Sequence, residues 1–234
     1  PETFVSKYAS FTASKARFAA AKTWLVNEVP LHMMVKQLLK QIPVLLGERK
    51  RILDVGCGRA ALSAAIKEKG YEVWGIEQDK GAADTAMKRI DRVIQADLLD
   101  IGSIRSEIGS LRFDAIVFSD VLEHLYDPFS ILREYRDFLH PGALFYISVP
   151  NALSWFYRLS FLLGRFEYAD TGVLDRTHIR FFTFKTARRL LKALDFEIVA
   201  VDYTPFVARA FLPLVKWIFS KKTVNAIYKF IDIF

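Results

Sequence analysis

The chain reads as a doubly wound α/β fold, a mostly parallel sheet with helices on both faces, extended by helical additions at its two ends. Three observations predict it. Short apolar runs recur between residues 51 and 204 at the spacing of strands joined by crossover helices. A glycine-rich turn closes the first run, and acidic or polar residues stand where successive runs stop. With 234 residues, 52% hydrophobic and 25% charged, the chain can bury one large core.

Each element follows from its residues. In RILDVGCGRAAL, Ile52, Leu53 and Val55 make a strand suited to burial on both faces. Gly56 and Gly58 then turn the chain with no Cβ in the way. Good helix formers fill 60–69, and Gly70 is placed to close that helix in a left-handed cap. YEVWGIE is the second strand, 80–90 a helix, RVIQAD the third strand and FDAIVFSD the fourth. DPFSILREYRDFLHPG is a helix ended by a Pro-Gly turn, and ALFYISVP is the fifth strand. Trp155, Phe156, Leu159, Leu162 and Leu163 then fall at helical spacing, which most often means core packing and can also make an apolar wall beside a ligand. Thr183 is an N-cap for a helix whose buried face is Ala187, Leu190, Leu191 and Leu194, and FEIVAVDY is the sixth strand. Three parts result: a helical flank over 1–50, a core over 51–204 with an inserted segment at 151–183, and an amphipathic segment over 205–234.

Charge separates these parts. Residues 1–50 carry eight Lys/Arg against three Asp/Glu, residues 205–234 five against one, and residues 51–204 twenty against twenty-two. A nucleic-acid enzyme needs a basic stripe beside its site, and the near-neutral core argues against one. Cys57 is the single cysteine, so no disulfide forms within the chain. No secretory leader pattern opens the sequence, and a cytoplasmic location is expected.

In open parallel sheets a ligand sits beyond the carboxyl ends of the strands. Here those ends are Asp54 to Gly58, Glu77, Asp97, Ser119 to Glu123, and Asn151. Gly56-x-Gly58-x-x-Ala61, with Glu77 about 20 residues on, also satisfies the pattern of a nicotinamide dinucleotide site. Two carboxylates point elsewhere. Asp54, two residues before the first glycine, would repel a pyrophosphate and suits the ammonium of an amino-acid ligand. Asp97 suits an adenine amino group.

The motifs LDVGCG, GIEQD, QADLLD, FDAIVFSDVLEHLYDP, LHPGALFYISVPN and DRTHIRFFT, in this order, resemble a class I S-adenosylmethionine-dependent methyltransferase with its Rossmann-like sheet. The last two, with LLKALDFEI, are most similar to bacterial small-molecule and cell-surface-associated methyltransferases. The resemblance implies that Asp54, Gly56 and Gly58 hold the methionine portion of S-adenosylmethionine, Glu77 the ribose hydroxyls, Gln78 one adenine face, and Asp97 with Leu98 its edge. Ser119 would lie near the sulfonium. The sequence departs from the family in Ala60, where a third glycine is usual, and in Glu77, where Asp is more frequent. In the family a seventh, antiparallel strand completes the sheet, and only YKFIDIF could supply it here.

An activated methyl group leaves the protein chiefly the work of alignment and water exclusion, plus a base where the nucleophile carries a proton. His178 and His124 are the base candidates. Asn151 and Trp155 follow the fifth strand toward the acceptor, and Arg176 and Arg180 suit an anionic group on it, unless they pair with Asp170 and Asp175. The expected acceptor is a hydroxyl or carboxylate of a small, glycan-like or lipid-linked molecule. A methyltransferase-like binding module without activity is the alternative. In the last segment Val224, Ile227, Tyr228 and Ile231 fall at i, i+3, i+4 and i+7. With Trp217, Lys221 and Lys222 this predicts contact with a membrane surface or a homodimer through the terminal helices.

Overall fold

The computed structural model describes residues 51–201 in full, together with the backbone course of two strand segments, 20–26 and 202–204. In chain order the strands are β1 (Ala20–Val26), β2 (Arg51–Val55), β3 (Glu72–Glu77), β4 (Arg92–Gln95), β5 (Phe113–Ser119), β6 (Leu139–Pro150) and β7 (Glu197–Thr204). The helices are α1 (Ala61–Lys67), α2 (Lys80–Ala86), α3 (Ile101–Ile108), α4 (Pro128–Arg136), α5 (Trp155–Leu162) and α6 (Phe184–Ala193), with a 3-10 turn at Leu122–His124.

The strands pair in the order β4-β3-β2-β5-β6-β1-β7, every pair parallel. Strand order reverses between β2 and β5. A crevice therefore opens above their carboxyl ends, where the helices that follow them leave toward opposite faces.

Alternation along each strand builds the two cores. Leu53, Val55, Trp74, Ile76, Ile116, Phe118, Phe145 and Ile147 pack on one face with α3, α4 and α6, around Leu132, Tyr135 and Leu191. Ile52, Val73, Ala115, Val117, Leu144 and Tyr146 pack on the other with α1 and α2, around Leu62, Ile66 and Ala86. Side chains stand on opposite faces at period two, so a strand covered on both sides must be apolar throughout. Helix starts are held by side chains: Asp79, Asp100 and Asp127 each accept from a backbone N–H three residues on. Thr183 forms a reciprocal capping box with Thr186.

Three expectations are corrected. Residues 20–26, inside the flank read as helical, form β1, hydrogen-bonded between β6 and β7. The Ala-rich start of the segment suggests helix, but Thr23 to Val26 have strand character, and an interior slot satisfies the backbone groups on both edges. That slot is filled by a parallel strand from the N-terminal side; YKFIDIF and the rest of 205–234 lie outside the described residues, and of the N-terminal flank that shared the membrane and dimer expectation only 20–26 is described, as this strand. Secondly, Pro141 and Gly142 do not end a turn before the fifth strand. They lie inside β6, where its register with β5 shifts between Phe113 and Ala115. Thirdly, α5 has no buried residue: Phe156, Leu159, Leu162 and Leu163 are all exposed, so the helix is not core.

Candidate functional site

β2 ends at a turn built by two left-handed glycines. Gly56, at φ 72, and Cys57 both donate their N–H to the Ile76 carbonyl oxygen, at 2.9 and 3.0 Å, which stitches the turn to β3. A Cβ on Gly56 would stand 2.9 Å from Val121 Cγ2, whereas one on Gly58 would meet nothing within 4 Å. The first glycine is required by packing; the second faces open space where a ligand can lie against backbone. Ala60, the departure noted in the sequence, adopts the left-handed conformation at φ 57 and begins α1.

Asp54, 2% exposed, points to the α1 face. Ser63 donates its hydroxyl to Oδ2, and Oδ1 is buried with no partner. Burial, opposed by Ser63 and reinforced by the charge of Glu77, pushes the Asp54 carboxyl up to about 7. An unpartnered buried oxygen is costly, so a cationic donor placed there would be bound favourably. Glu77 stands at the end of β3. Its Oε2 accepts from Gly58 N–H at 2.9 Å and Oε1 from Asp79 N–H at 2.8 Å, so both oxygens are oriented by backbone beside the glycine turn. Gln78 next to it is exposed.

Beyond β4, Asp97 is exposed and its Oδ1 accepts from Leu99 N–H at 2.9 Å. Leu98 packs partly against the core, its carbonyl oxygen accepting from the Tyr135 hydroxyl at 2.9 Å. The ends of β2, β3 and β4 thus carry Asp54, Glu77 and Asp97 along one rim, in the order in which an amino-acid moiety, a ribose and an adenine are joined in S-adenosylmethionine. The orphaned Asp54 Oδ1, the open space at Gly58 and the oriented Glu77 carboxylate fit that molecule.

Across the crevice, β5 ends at Ser119 and the chain enters Asp120 at φ 53. Ser148 on β6 donates to Asp120 Oδ1 at 2.9 Å and lies 3.4 Å from the Ser119 hydroxyl. Crowding by the protein raises the Asp120 carboxyl from its ordinary value, against Ser148 and the two histidines nearby.

The turn after Asp120 brings Glu123 and His124 beneath a loop from distant sequence. Ile179 and Arg180 both donate N–H to the Glu123 carbonyl oxygen, at 3.0 and 2.9 Å. His124 Nδ1 lies 3.1 Å from the Thr177 carbonyl oxygen and His178 Nδ1 3.0 Å from that of Val173. Carbonyls only accept, so both hydrogens are assigned to Nδ1, and in the neutral rings each Nε2 is a bare acceptor. The rings meet edge to face, centroids 4.8 Å apart. They differ in access: His124 is exposed, whereas the His178 side chain is 9% exposed and its Nε2 faces Glu123 Oε1 at 3.9 Å.

Glu123, His124 and His178 offer donor atoms within 4.8 Å of one another. Glu123 Oε1 and His178 Nε2 stand 3.9 Å apart, and this carboxylate with the two imidazoles could hold a metal ion.

The other expected acceptor residues are more scattered. Arg176 pairs with Asp170 at 3.5 Å on the surface, and Arg180 donates to the Tyr126 carbonyl oxygen, while Asp175 instead accepts from Thr177. Asn151 is buried, its Oδ1 accepting from Leu153 N–H; Trp155 is half-buried at the start of α5. Glu123, Asp120, Ser63 and Ser148 were not assigned roles from sequence. VLEHL placed Glu123 beside a candidate base, but only burial distinguishes it from a surface glutamate.

Comparison with known proteins identifies the family. The family described as "Methyltransferase domain" matches residues 31–201. The ubiquinone biosynthesis O-methyltransferase of Pseudomonas aeruginosa (strain LESB58) is 32% identical over 106 residues, 44% of this chain and 45% of that protein; the chain spans under half the length of that relative. That of Idiomarina loihiensis is 27% identical over 184 residues, 76% of this chain and 72% of that protein. Among solved structures, a SAM dependent methyltransferase from Archaeoglobus fulgidus shares the fold with a TM-score of 0.57 at 19% identity, over 86% of this chain and 87% of that one. The plantazolicin methyltransferase BpumL, in complex with SAH, does so with 0.52 at 17%, over 70% and 62%.

Proposed function

This chain belongs to the methyltransferase domain family of S-adenosylmethionine-dependent enzymes, and from that premise we propose that it methylates a hydroxyl of a small acceptor, with His124 as general base. The observation that carries this is the exposed imidazole whose Nδ1 is engaged by Thr177, which leaves Nε2 as the ring's unprotonated acceptor. When bound, S-adenosylmethionine supplies a methyl group already activated on sulfur. Asp54 and the Gly56–Gly58 turn would hold its amino-acid end, Glu77 its ribose, and Asp97 with Leu98 and Gln78 its adenine; Ser119 would border the sulfonium. His124 Nε2 takes the hydroxyl proton, and Asp120, fixed by Ser148, offers a nearby negative charge to the imidazolium formed. The ubiquinone O-methyltransferase relatives support oxygen as the acceptor atom.

The acceptor is further read as lipid-linked or otherwise largely apolar. Phe156, Leu159, Leu162, Leu163, Phe166 and Tyr168 are exposed on the segment that follows β6, after Asn151 and Trp155 in the chain. Such a surface is unusual unless something apolar covers it. Arg176 is free to take an anionic acceptor group at low cost, because an exposed ion pair such as Arg176–Asp170 contributes about 0–1 kcal/mol. Among the described residues no helix is long and apolar enough to cross a membrane. Contact with a membrane surface or a second copy is assigned to residues 205–234.

Titration with S-adenosylhomocysteine and NAD in parallel tests the cofactor, and methyl transfer from labelled S-adenosylmethionine to phenols with and without an apolar tail tests the acceptor. Binding of NAD alone would overturn the reading. A KM indifferent to the tail would remove the lipid-linked acceptor, and a carboxylate acceptor turned over without His124 would remove the base.

A further inference from the structure

Ser63 is a polar residue in an apolar place. It is the third residue of α1 and, with Leu62 and Ile66, belongs to the buried face of that helix, where it is 0% exposed. A hydroxyl is costly to bury there unless it is bonded. Serine inside a helix often turns back to the carbonyl four residues earlier. Here that carbonyl, of Arg59, accepts from the Arg89 guanidinium at 3.1 Å, and the Ser63 hydroxyl reaches across to Asp54 Oδ2 on β2. A hydroxyl has one proton to give. It therefore fixes one carboxyl oxygen, and with it the carboxyl plane, and leaves Oδ1 as the buried acceptor without a partner. The titratable groups that reach Asp54, among the described residues, are Glu77 from the end of β3 and the Cys57 thiol from the glycine turn. Both are acids, and neither can neutralise a carboxylate.

We propose that Ser63 is a positioning residue for cofactor binding: it holds the Asp54 carboxyl by one oxygen, so that the other, Oδ1, carries either a proton or the ammonium group of the ligand's amino-acid end. The role rests on the reading of the rim as an S-adenosylmethionine site. When the ammonium arrives, the Oδ1–H bond breaks and its proton passes to solvent; Ser63 keeps its own proton and donates to Oδ2 throughout. Burial raises the Asp54 carboxyl, the Ser63 hydrogen bond opposes the rise, and the charge of Glu77 adds to it, leaving a value of about 7. Without the hydroxyl the carboxyl would hold its proton to higher pH, and the ammonium would compete with that proton over a wider range.

The test is calorimetry of the full chain, parent and Ser63→Ala, with two probes across a range of pH: S-adenosylhomocysteine, and 5′-methylthioadenosine, which shares the adenosine and sulfur but has no amino-acid end. In the parent the affinity for S-adenosylhomocysteine should rise with pH, and that for 5′-methylthioadenosine should stay flat. In Ser63→Ala the rise should move to higher pH. A hydrogen bond to a charged group shifts a carboxyl by about one unit or more, so S-adenosylhomocysteine should bind about tenfold more weakly at mildly acidic pH, the gap closing as pH increases. The affinity for 5′-methylthioadenosine should not change. Ser63→Cys, close to serine in size but a weak donor, should move the rise in the same direction, and carries the test if the alanine variant does not fold. A rise that keeps its midpoint in the variants, or an equal loss for both probes, would reduce Ser63 to a packing residue and overturn the proposal. A parent protein that binds S-adenosylhomocysteine at no pH would instead overturn the methyl-transfer reading, and the role of Ser63 with it.

Discussion

Ser63 donates its hydroxyl to one oxygen of Asp54 and leaves the other, Oδ1, buried and unpartnered at the mouth of the glycine turn. Burial raises the carboxyl's pKa, and the Ser63 bond opposes the rise. Its pKa of about 7 means that it is partly protonated at neutral pH. A ligand ammonium group favours the ionised form, so binding should expel a proton. The affinity for S-adenosylhomocysteine is expected to rise between pH 5.5 and 7.5 and then level off. Calorimetry in buffers of different ionisation enthalpy would detect the released proton, and Asp54→Asn should abolish both effects.

Glu77→Ala should weaken S-adenosylhomocysteine tenfold or more. Both carboxylate oxygens are held by backbone N–H groups beside the glycine turn, ready for two ribose hydroxyls. Hydrogen bonds to a charged group are worth roughly 1.5–3 kcal/mol, and 1.4 kcal/mol is tenfold in affinity. Unchanged affinity would remove Glu77 from the site.

Gly56 and Gly58 should respond differently to alanine although both have positive φ. A left-handed non-glycine residue costs roughly 1–2 kcal/mol, and both variants bear that cost in stability. Gly56→Ala also drives a methyl group into Val121 Cγ2, so Val121→Ala should recover part of its loss. Gly58→Ala meets no protein atom, so no second substitution of this kind should rescue it. Its further defect should be in cofactor affinity, read by thermal denaturation with and without S-adenosylhomocysteine.

Glu123→Gln should stabilise the protein increasingly as pH rises from 5 to 8. Folded Glu123 keeps its proton up to about 9, whereas in the unfolded chain it loses the proton near its ordinary value of 4.5. Between these limits the native state binds more protons than the unfolded state, so this group's contribution is fully present at low pH and declines as pH rises. Glutamine does not titrate. The gap in Tm, variant minus parent, is therefore expected to widen over that range by several degrees. A constant gap would mean that Glu123 ionises in the folded protein.

Local pattern was enough for the features that depend on neighbours in sequence. The strand at Arg51–Val55, the left-handed turn at Gly56 and Gly58, and the Thr183 cap with Ala187, Leu190, Leu191 and Leu194 beneath it are all legible from spacing and residue type. Asp54, Glu77 and Asp97 were legible for a related reason: in a parallel sheet, the ends of successive strands must fall on one rim.

Where long-range packing decides, the sequence was silent or misleading. Residues 20–26 carry an Ala-rich start that suggests a helix, and become a strand because an interior position between β6 and β7 satisfies the backbone on both edges. The periodic apolar residues of α5 look like core, but burial needs a partner surface, and Leu159 and Leu162 have little or none among the described residues. His178 and His124 were both named from sequence as base candidates, with His178 placed first. The difference in access between the two rings arises only when Ile179 and Arg180 clasp Glu123 across more than fifty residues of chain, a long-range pairing that leaves the His178 side chain 9% exposed.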